Sequence, residues 1–126
     1  MNLFILDAGG AGLIFVFAVI FILIAFVVEG LTMWIMKYNK PGKAFLDSLI
    51  INLVSLGGGF LLTYISGPLL DLDNTSNFFI LYLITVVIEF VVLYLLNRKI
   101  PVVKTLVTAI VINLVSYAIL FMFQYF

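Results

Sequence analysis

The chain of 126 residues contains no cysteine and no histidine. The absence of cysteine excludes disulfides and thiolate chemistry. The absence of histidine removes the commonest metal ligand and the usual general base. Motifs for phosphate loops, nucleophile elbows, zinc-binding helices and dinucleotide binding are missing as well. We therefore expect no enzyme activity, no metal site and no cofactor.

Charge is also scarce, because only 10% of the residues are charged while 66% are hydrophobic. A soluble domain has an apolar share of about half, so this composition predicts an integral membrane protein whose main partner is the lipid bilayer. The chain has six basic residues, and six acidic ones balance them. This balance gives no support to nucleic-acid binding.

Four apolar stretches are long enough for a membrane-spanning helix, which needs roughly 20 such residues. They cover Ala11 to Met36, Ala44 to Ser66, Asn77 to Leu96 and Val102 to Gln124. Because they use nearly all of the chain, we expect one all-α membrane domain over residues 1–126. The first stretch is longer than the apolar core of a signal peptide and no basic residue precedes it, so we expect it to be retained.

The six cations predict the orientation of the chain. They fall into two short connections, as Lys37, Lys40 and Lys43 in the first and Arg98, Lys99 and Lys104 in the second. By the positive-inside rule, loops 37–43 and 97–104 are cytoplasmic. The N-terminus, the C-terminus and the central loop with Asp71 and Asp73 are then outside the cytoplasm.

Aromatic residues near the ends of the predicted spans are typical of the interfacial belts of membrane proteins. Trp34, Tyr38 and Tyr94 lie near the basic ends, and Tyr64 and Tyr125 lie near the opposite ends. We therefore expect these five side chains to anchor the helices at the two membrane surfaces.

The pentapeptide INLVS occurs twice, at residues 51–55 and 112–116. It belongs to a longer self-similarity with an offset of about 60 residues. The offset aligns Glu29 with Glu89, Pro41 with Pro101, Asn52 with Asn113, and Ser55 with Ser116. This pattern predicts two tandem helical hairpins, about residues 11–66 and 77–126, related by a pseudo-twofold axis along the membrane normal.

Each hairpin carries one Glu and one Asn at nearly equal distances from its turn. Glu29 and Asn52 lie on either side of Pro41, and Glu89 and Asn113 lie on either side of Pro101. In an antiparallel hairpin such positions are at the same depth, so each Glu is expected to hydrogen-bond its Asn. Glu29 precedes Met36 by seven residues, which places it roughly 10 Å inside the hydrocarbon boundary.

A carboxylate at that depth costs about 2.5 to 3.5 kcal/mol on insertion scales and needs protein or water around it. Two states of the acids fit the sequence equally well. A protonated Glu could donate to the Asn carbonyl oxygen, because desolvation raises the pKa of a buried carboxyl group. An ionised Glu would instead need a cation.

Small and polar residues recur on the same helix faces at steps of three or four, which predicts inward-facing stripes. The stripes comprise Ala25, Glu29 and Thr32; Ser48, Asn52, Ser55, Gly59, Thr63 and Ser66; Tyr82, Thr85 and Glu89; and Ala109, Asn113, Ser116 and Gln124. Asp47 follows Lys43 by four residues, and we expect these two to form a solvated ion pair on one helix.

Two functional interpretations remain open. In the first, the protein is a transporter or channel that binds protons or cations inside the bundle. Its candidate ligands are Glu29, Asn52, Ser55, Glu89, Asn113 and Ser116. In the second, it is a scaffold subunit of a larger membrane complex, and the same residues only fasten the helices together. Under either interpretation we expect further copies of the chain or other membrane subunits as partners.

Overall fold

The computed structural model of the protein describes residues 3–66 and 75–125 and consists there of four α-helices. They are α1 (Leu3–Ile35), α2 (Pro41–Ser66), α3 (Thr75–Leu96) and α4 (Val102–Tyr125). No strand occurs in these two ranges. The prediction of an all-α fold is therefore confirmed.

The helices begin at or before the predicted apolar stretches. α1 begins at Leu3 rather than Ala11, and α2 begins at Pro41 rather than Ala44. Apolar composition marks the part of a helix that suits hydrocarbon, whereas backbone hydrogen bonds continue into its more polar ends. The sequence therefore located the apolar cores of these two helices and underestimated their lengths.

The four helices form a bundle in which each helix packs against two others. α1 contacts α2 and α4, and α3 also contacts α2 and α4. Two pairs of helices lie diagonally across the bundle, α1 with α3 and α2 with α4. Within the described ranges, no Cα atom of one helix lies within 8 Å of its diagonal partner. Side chains from diagonal helices can therefore meet only through the centre of the bundle.

The connection from α1 to α2 begins with a left-handed turn at Lys37, whose φ is 56°. The amide of Tyr38 donates to the carbonyl of Met33 at 2.9 Å, and the amide of Lys37 donates to the carbonyl of Trp34 at 2.9 Å. These two bonds are those of a Schellman motif, which satisfies the last carbonyls of a helix. The chain can then reverse direction within the short segment 36–40.

The two aligned prolines occupy different positions in their helices. Pro41 is the first residue of α2. The preceding residue, Lys40, is the capping residue, and its carbonyl accepts a hydrogen bond from the amide of Ala44. Pro101 itself is the capping residue of α4, and its carbonyl accepts from Thr105 at 3.1 Å. Although the sequence aligns the two prolines, their positions in the helices therefore differ by one residue. Both connections have five residues, but α3 continues one residue further beyond Glu89 than α1 does beyond Glu29.

The aromatic belt prediction is wrong for Tyr38. Its side chain is only 3% exposed, and its hydroxyl lies 3.2 Å from the hydroxyl of Thr105. Trp34 and Tyr94 are partly exposed, as expected of anchors. The Schellman turn folds Tyr38 back against α4, so position near a helix end did not determine exposure. The predictions for the side chains of Tyr64 and Tyr125 lie outside the described residues.

Two helical stretches of the described chain are long and apolar enough to cross a membrane, Phe79–Leu96 and Val102–Phe123. A shorter apolar stretch covers Val19–Ile35 in α1. The polar stripe of α2 lowers the average apolarity of that helix. The predicted central loop with Asp71 and Asp73 lies outside the described residues.

Candidate functional site

Glu29 lies in the middle of the bundle on α1 and is only 2% exposed. Asn52 of α2 donates from Nδ2 to its Oε2 atom at 2.6 Å. Ser116 of α4 donates from Oγ to its Oε1 atom at 2.7 Å. Both oxygens of the carboxyl group therefore accept a bond, one from each helix that neighbours α1.

Glu89 has the matching surroundings on α3 and is 1% exposed. Asn113 of α4 donates from Nδ2 to its Oε2 atom at 2.6 Å. Ser55 of α2 donates from Oγ to its Oε1 atom at 3.0 Å. The predicted bond between each Glu and its Asn is therefore confirmed.

The Ser hydroxyl of each INLVS segment donates to the Glu of the other helix pair, where the pairs are α1 with α2 and α3 with α4. Asn52 and Ser55 are three residues apart, so they differ by roughly 60° around the helix and by about 4.5 Å along it. That rotation turns Asn52 towards α1 and Ser55 towards α3. In the same way, Asn113 is turned towards α3 and Ser116 towards α1.

The six residues form two hydrogen-bonded sets of three, one around Glu29 and one around Glu89, which together involve all four helices. We call the two sets the polar ring. Its members are Glu29, Asn52, Ser55, Glu89, Asn113 and Ser116. Acidic residues on α1 and α3 alternate around it with amide and hydroxyl groups on α2 and α4. The structure therefore brings together every candidate ligand that the sequence indicated.

The two Asn amides are oriented by their own helices. The Nδ2 atom of Asn52 also donates to the carbonyl of Ser48 at 2.8 Å, and that of Asn113 donates to the carbonyl of Ala109 at 2.9 Å. Each NH₂ group therefore satisfies one helix carbonyl and one carboxyl oxygen. The Oδ1 atom of Asn113 is buried and has no hydrogen-bond partner. The bond to the Asn carbonyl oxygen, which a protonated Glu could make, is therefore not formed at Asn113.

No cation of the described chain balances the two carboxyl groups. Among the described residues the only ion pair joins Lys43 to Asp47, at the end of the bundle that carries the basic loops. Instead, the carboxyl group of Glu29 lies close enough to that of Glu89 for their negative charges to repel each other. All four donors to the two acids are neutral groups, so full ionisation of both would leave two buried negative charges uncompensated.

A cavity of about 590 Å³ contacts the polar ring. The ring forms one end of it, and its walls continue along all four helices in the direction away from the loops 36–40 and 97–101. The wall residues include Phe21 and Ala25, Gly58, Gly59 and Leu62, Leu81 and Thr85, and Tyr117. The cavity is therefore an apolar chamber with an acidic end.

An apolar layer closes the opposite side of the polar ring. Met33 and Leu93 each follow a ring Glu by one helical turn, and Ile51 and Ile112 each precede a ring Asn. All four side chains are 0% exposed. The two carboxyl groups therefore face the cavity on one side and packed hydrocarbon on the other.

Beyond this layer, Asp47 joins the two short connections of the bundle. Its Oδ2 atom accepts bonds from Asn39 at 3.0 Å and from Asn97 at 2.8 Å, while Lys43 bonds its Oδ1 atom. The expected Lys43 pair exists, but Asp47 is 0% exposed. The prediction of a solvated pair is wrong, because the partner amides come from connections that meet only in the folded bundle.

The predicted inward-facing stripes are confirmed for those members that line the cavity or are buried. Ala25, Gly59 and Thr85 line the cavity, Ala109 is buried, and the hydroxyl of Ser48 donates to the carbonyl of Phe26 at 2.8 Å. The predictions for the side chains of Thr63, Ser66 and Gln124 lie outside the described residues.

Tyr117 is a cavity residue that sequence reasoning missed. Its hydroxyl lies 3.0 Å from that of Thr85, and its aromatic ring meets that of Tyr82 edge to face, with centroids 5.4 Å apart. The position directly follows Ser116, so it shares the cavity with the polar ring. A helical wheel extended by one residue beyond the pentapeptide is the signal that would have found it.

Comparison with protein families, with curated proteins and with solved structures gave no match.

Proposed function

We propose that the protein is an integral membrane protein with four spans that transports protons or small cations through the polar ring. The observation that carries this proposal is the pair of buried carboxyl groups at the end of a cavity, held by four neutral donors and no cation. Such a pair needs protons or a cation from outside the chain. A site that must take up positive charge is suited to its transport.

The outer surface of the bundle supports the membrane assignment. Large apolar side chains are exposed on each of the four helices, among them Leu23, Val27, Leu53, Leu61, Leu83, Val87, Val107 and Leu114. A soluble monomer rarely exposes an apolar surface that continues around the whole molecule. With the basic connections in the cytoplasm, the cavity extends towards the opposite side of the membrane.

The hydrogen bonds of the polar ring support a tandem repeat of two hairpins. Asn52 lies twelve residues after the cap of α2 at Lys40, and Asn113 lies twelve residues after the cap of α4 at Pro101. Each Asn then bonds the Glu of its own hairpin, and each Ser bonds the other Glu. Two copies related by a twofold axis produce this exchange of partners naturally.

The geometry also supports a one-sided arrangement of the site. The cavity reaches the polar ring from one side, while the layer that contains Met33 and Leu93 and the cluster around Asp47 close the other. Transport would require the second side to open as the first closes. The hydrogen bonds of Asp47 with Asn39 and Asn97 are the contacts that must then separate.

The test is flux in liposomes that contain a pH-sensitive dye, with proton, Na⁺ and K⁺ gradients applied in turn. Wild type should show flux that depends on pH, and the Glu29→Gln and Glu89→Gln variants should lose it. Gln retains an oxygen that accepts from Asn, and its NH₂ group can donate to Ser, so both variants should fold.

The matched control is Thr32→Val, because the Thr32 hydroxyl bonds the carbonyl of Val28 on its own helix and Thr32 does not line the cavity. It should keep the flux. Normal flux in the Glu29→Gln and Glu89→Gln double variant would end the proposal. If wild-type protein assembles into a larger complex and shows no flux with any gradient, the scaffold interpretation replaces transport.

A further inference from the structure

We propose that the cavity next to the polar ring binds a hydrophobic ammonium ion, meaning a protonated amine that carries apolar groups. This inference rests on the proposed function and deepens it by naming the class of substrate. Two independent features of the cavity point to such a ligand: its volume and walls, and its uncompensated charge.

The volume and the walls suit an organic molecule. A cavity of about 590 Å³ lies within the range of roughly 300 to 1,000 Å³ that is typical of sites for organic ligands. Away from the polar ring the walls are largely hydrocarbon, with Ile24, Leu56, Leu81 and Ile84 among them. A proton or a bare alkali ion would use only the polar end and leave this apolar volume without a partner.

The charge at the end of the cavity selects a cation. Glu29 and Glu89 both contact the cavity, and no Lys or Arg lines it. A cationic head between the two carboxyl groups would offset the repulsion that otherwise keeps a proton on one of them. A neutral apolar molecule would leave that repulsion unchanged, and an anion would increase it.

Ligand binding and protonation would then compete at the polar ring. The ammonium ion replaces the proton of one carboxyl group, so each cation bound releases one proton and the charge of the site stays constant. The two acids face each other and two further titratable groups. These are Tyr117 on α4 and, next to it, Tyr82 on α3. α2 contributes only Asn52 and Ser55 from the polar ring. Acidification should therefore weaken binding.

The experiment measures binding of dibenzylammonium to the full-length protein in lipid nanodiscs, with empty nanodiscs as background. Two probes separate the features of the ligand. 1,3-Diphenylpropane replaces the NH₂⁺ group by CH₂ and keeps the shape, while methylammonium keeps the charge and lacks the hydrocarbon. We expect dibenzylammonium to bind at least about tenfold more tightly than either, and to release a proton into a weakly buffered solution. Equal affinity for 1,3-diphenylpropane or for methylammonium would overturn the proposal.

Two variants locate the bound probe. The Glu29→Gln and Glu89→Gln double variant removes the charge and should weaken binding of dibenzylammonium at least about 30-fold, as loss of a buried charge partner does. Gly59→Leu places a side chain where a Cβ meets no atom within 4 Å, on a residue that lines the cavity. It should weaken binding about tenfold or more by filling the chamber.

Gly57→Leu is the matched control for the filled cavity, because Gly57 lies on the same helix, is exposed and has equal free space. It should bind dibenzylammonium as wild type does. Equal affinity in Gly57→Leu and Gly59→Leu, or no binding to folded wild type, would overturn the proposal. The comparison of probes uses wild type alone, so it decides the matter even if a variant fails to fold.

The two proposals fail in different ways. Proton or Na⁺ flux that depends on the two Glu residues, without any binding of dibenzylammonium, would overturn the ligand class and leave transport through the polar ring intact. Flux that persists in the Gln double variant would overturn the proposed function.

Discussion

Ser116 on α4 donates its hydroxyl hydrogen to Glu29 on α1 at 2.7 Å, across 87 positions of the sequence. This bond links the last helix of the bundle to the first. Ser55 makes the equivalent bond to Glu89 at 3.0 Å. The two hydroxyls thus connect the α1–α2 pair with the α3–α4 pair at the level of the buried acids.

Removing the Ser116 hydroxyl should weaken the bundle through Glu29. We expect Ser116→Ala to lower the free energy of unfolding by about 0.6 to 2 kcal/mol, the range for interhelical hydrogen bonds in membranes. Unfolding in detergent, followed by the fluorescence of Trp34, measures the loss. A double-mutant cycle with Glu29→Ala, which removes the acceptor of the Ser116 hydroxyl, should show coupling between the two positions.

Thr32→Val is the control for this cycle, because the Thr32 hydroxyl bonds only the carbonyl of Val28 on its own helix. It should leave stability nearly unchanged and show no coupling with Glu29→Ala. Additive effects of Ser116→Ala and Glu29→Ala would contradict the interhelical bond.

Close packing of α1 against α2 requires glycine at position 30. A Cβ atom there would overlap the ring of Phe45, which packs edge to face against Phe26 with centroids 5.8 Å apart. Because that contact restricts movement of the ring, Gly30→Ala should destabilise the bundle by about 1 to 3 kcal/mol.

Gly57→Ala is the matched control, since a Cβ at Gly57 meets no atom within 4 Å. It should be neutral or stabilising by up to about 1 kcal/mol, because alanine is the better helix former. The same unfolding measurement compares the two variants. Equal effects of both would show that Phe45 can move aside.

The Asp47 cluster should contribute to stability through its amide partners rather than through its ion pair. Asp47→Ala removes one of the two acceptors of each amide group, because Asn39 also donates to Asn97 and Asn97 also donates to the carbonyl of Leu93. We expect it to cost about 1 to 3 kcal/mol. Lys43→Ala removes a cation whose side chain is 40% exposed, so it should cost less, about 0 to 1 kcal/mol. Unfolding of both variants at one pH tests the order, and a larger loss for Lys43→Ala would refute it.

The orientation of the chain can be tested with single cysteines, because the natural sequence has none. A membrane-impermeant maleimide applied to intact cells should label Asn74→Cys, in the predicted external loop. Lys99→Cys, in the predicted cytoplasmic loop, should be labelled only after the cells are opened. Labelling of Lys99→Cys in intact cells, or equal labelling of both, would contradict the predicted orientation.

The bonds from Asn52 to Glu29 and from Asn113 to Glu89 could be predicted because they are local to one helix pair. Two helices joined by a short connection must run side by side, so residues equally far from the turn meet. The number of residues between each Glu and its Asn was enough to predict the contact. The same logic failed for Pro41 and Pro101, because one additional residue changed the position at which the helix began.

Contacts between the two helix pairs could not be predicted in this way. Ser55 and Ser116 were recognised as candidates, but which Glu they bond depends on the docking of α1 against α4 and of α2 against α3. The burial of Asp47 depends on Asn97, 50 positions later. The burial of Tyr38 depends on a backbone turn at Lys37.

By itself, the sequence determined four apolar helices, the two acids and their Asn partners, because composition and short-range helix geometry suffice for those features. Only the tertiary structure decided that the acids share one polar ring, that hydrocarbon closes it on one side and that a cavity adjoins it on the other. Sealing depends on whether side chains from four helices fill the space between them at each level. Met33, Ile51, Leu93 and Ile112 fill it beside the polar ring, whereas small residues such as Gly58 and Gly59 leave it open.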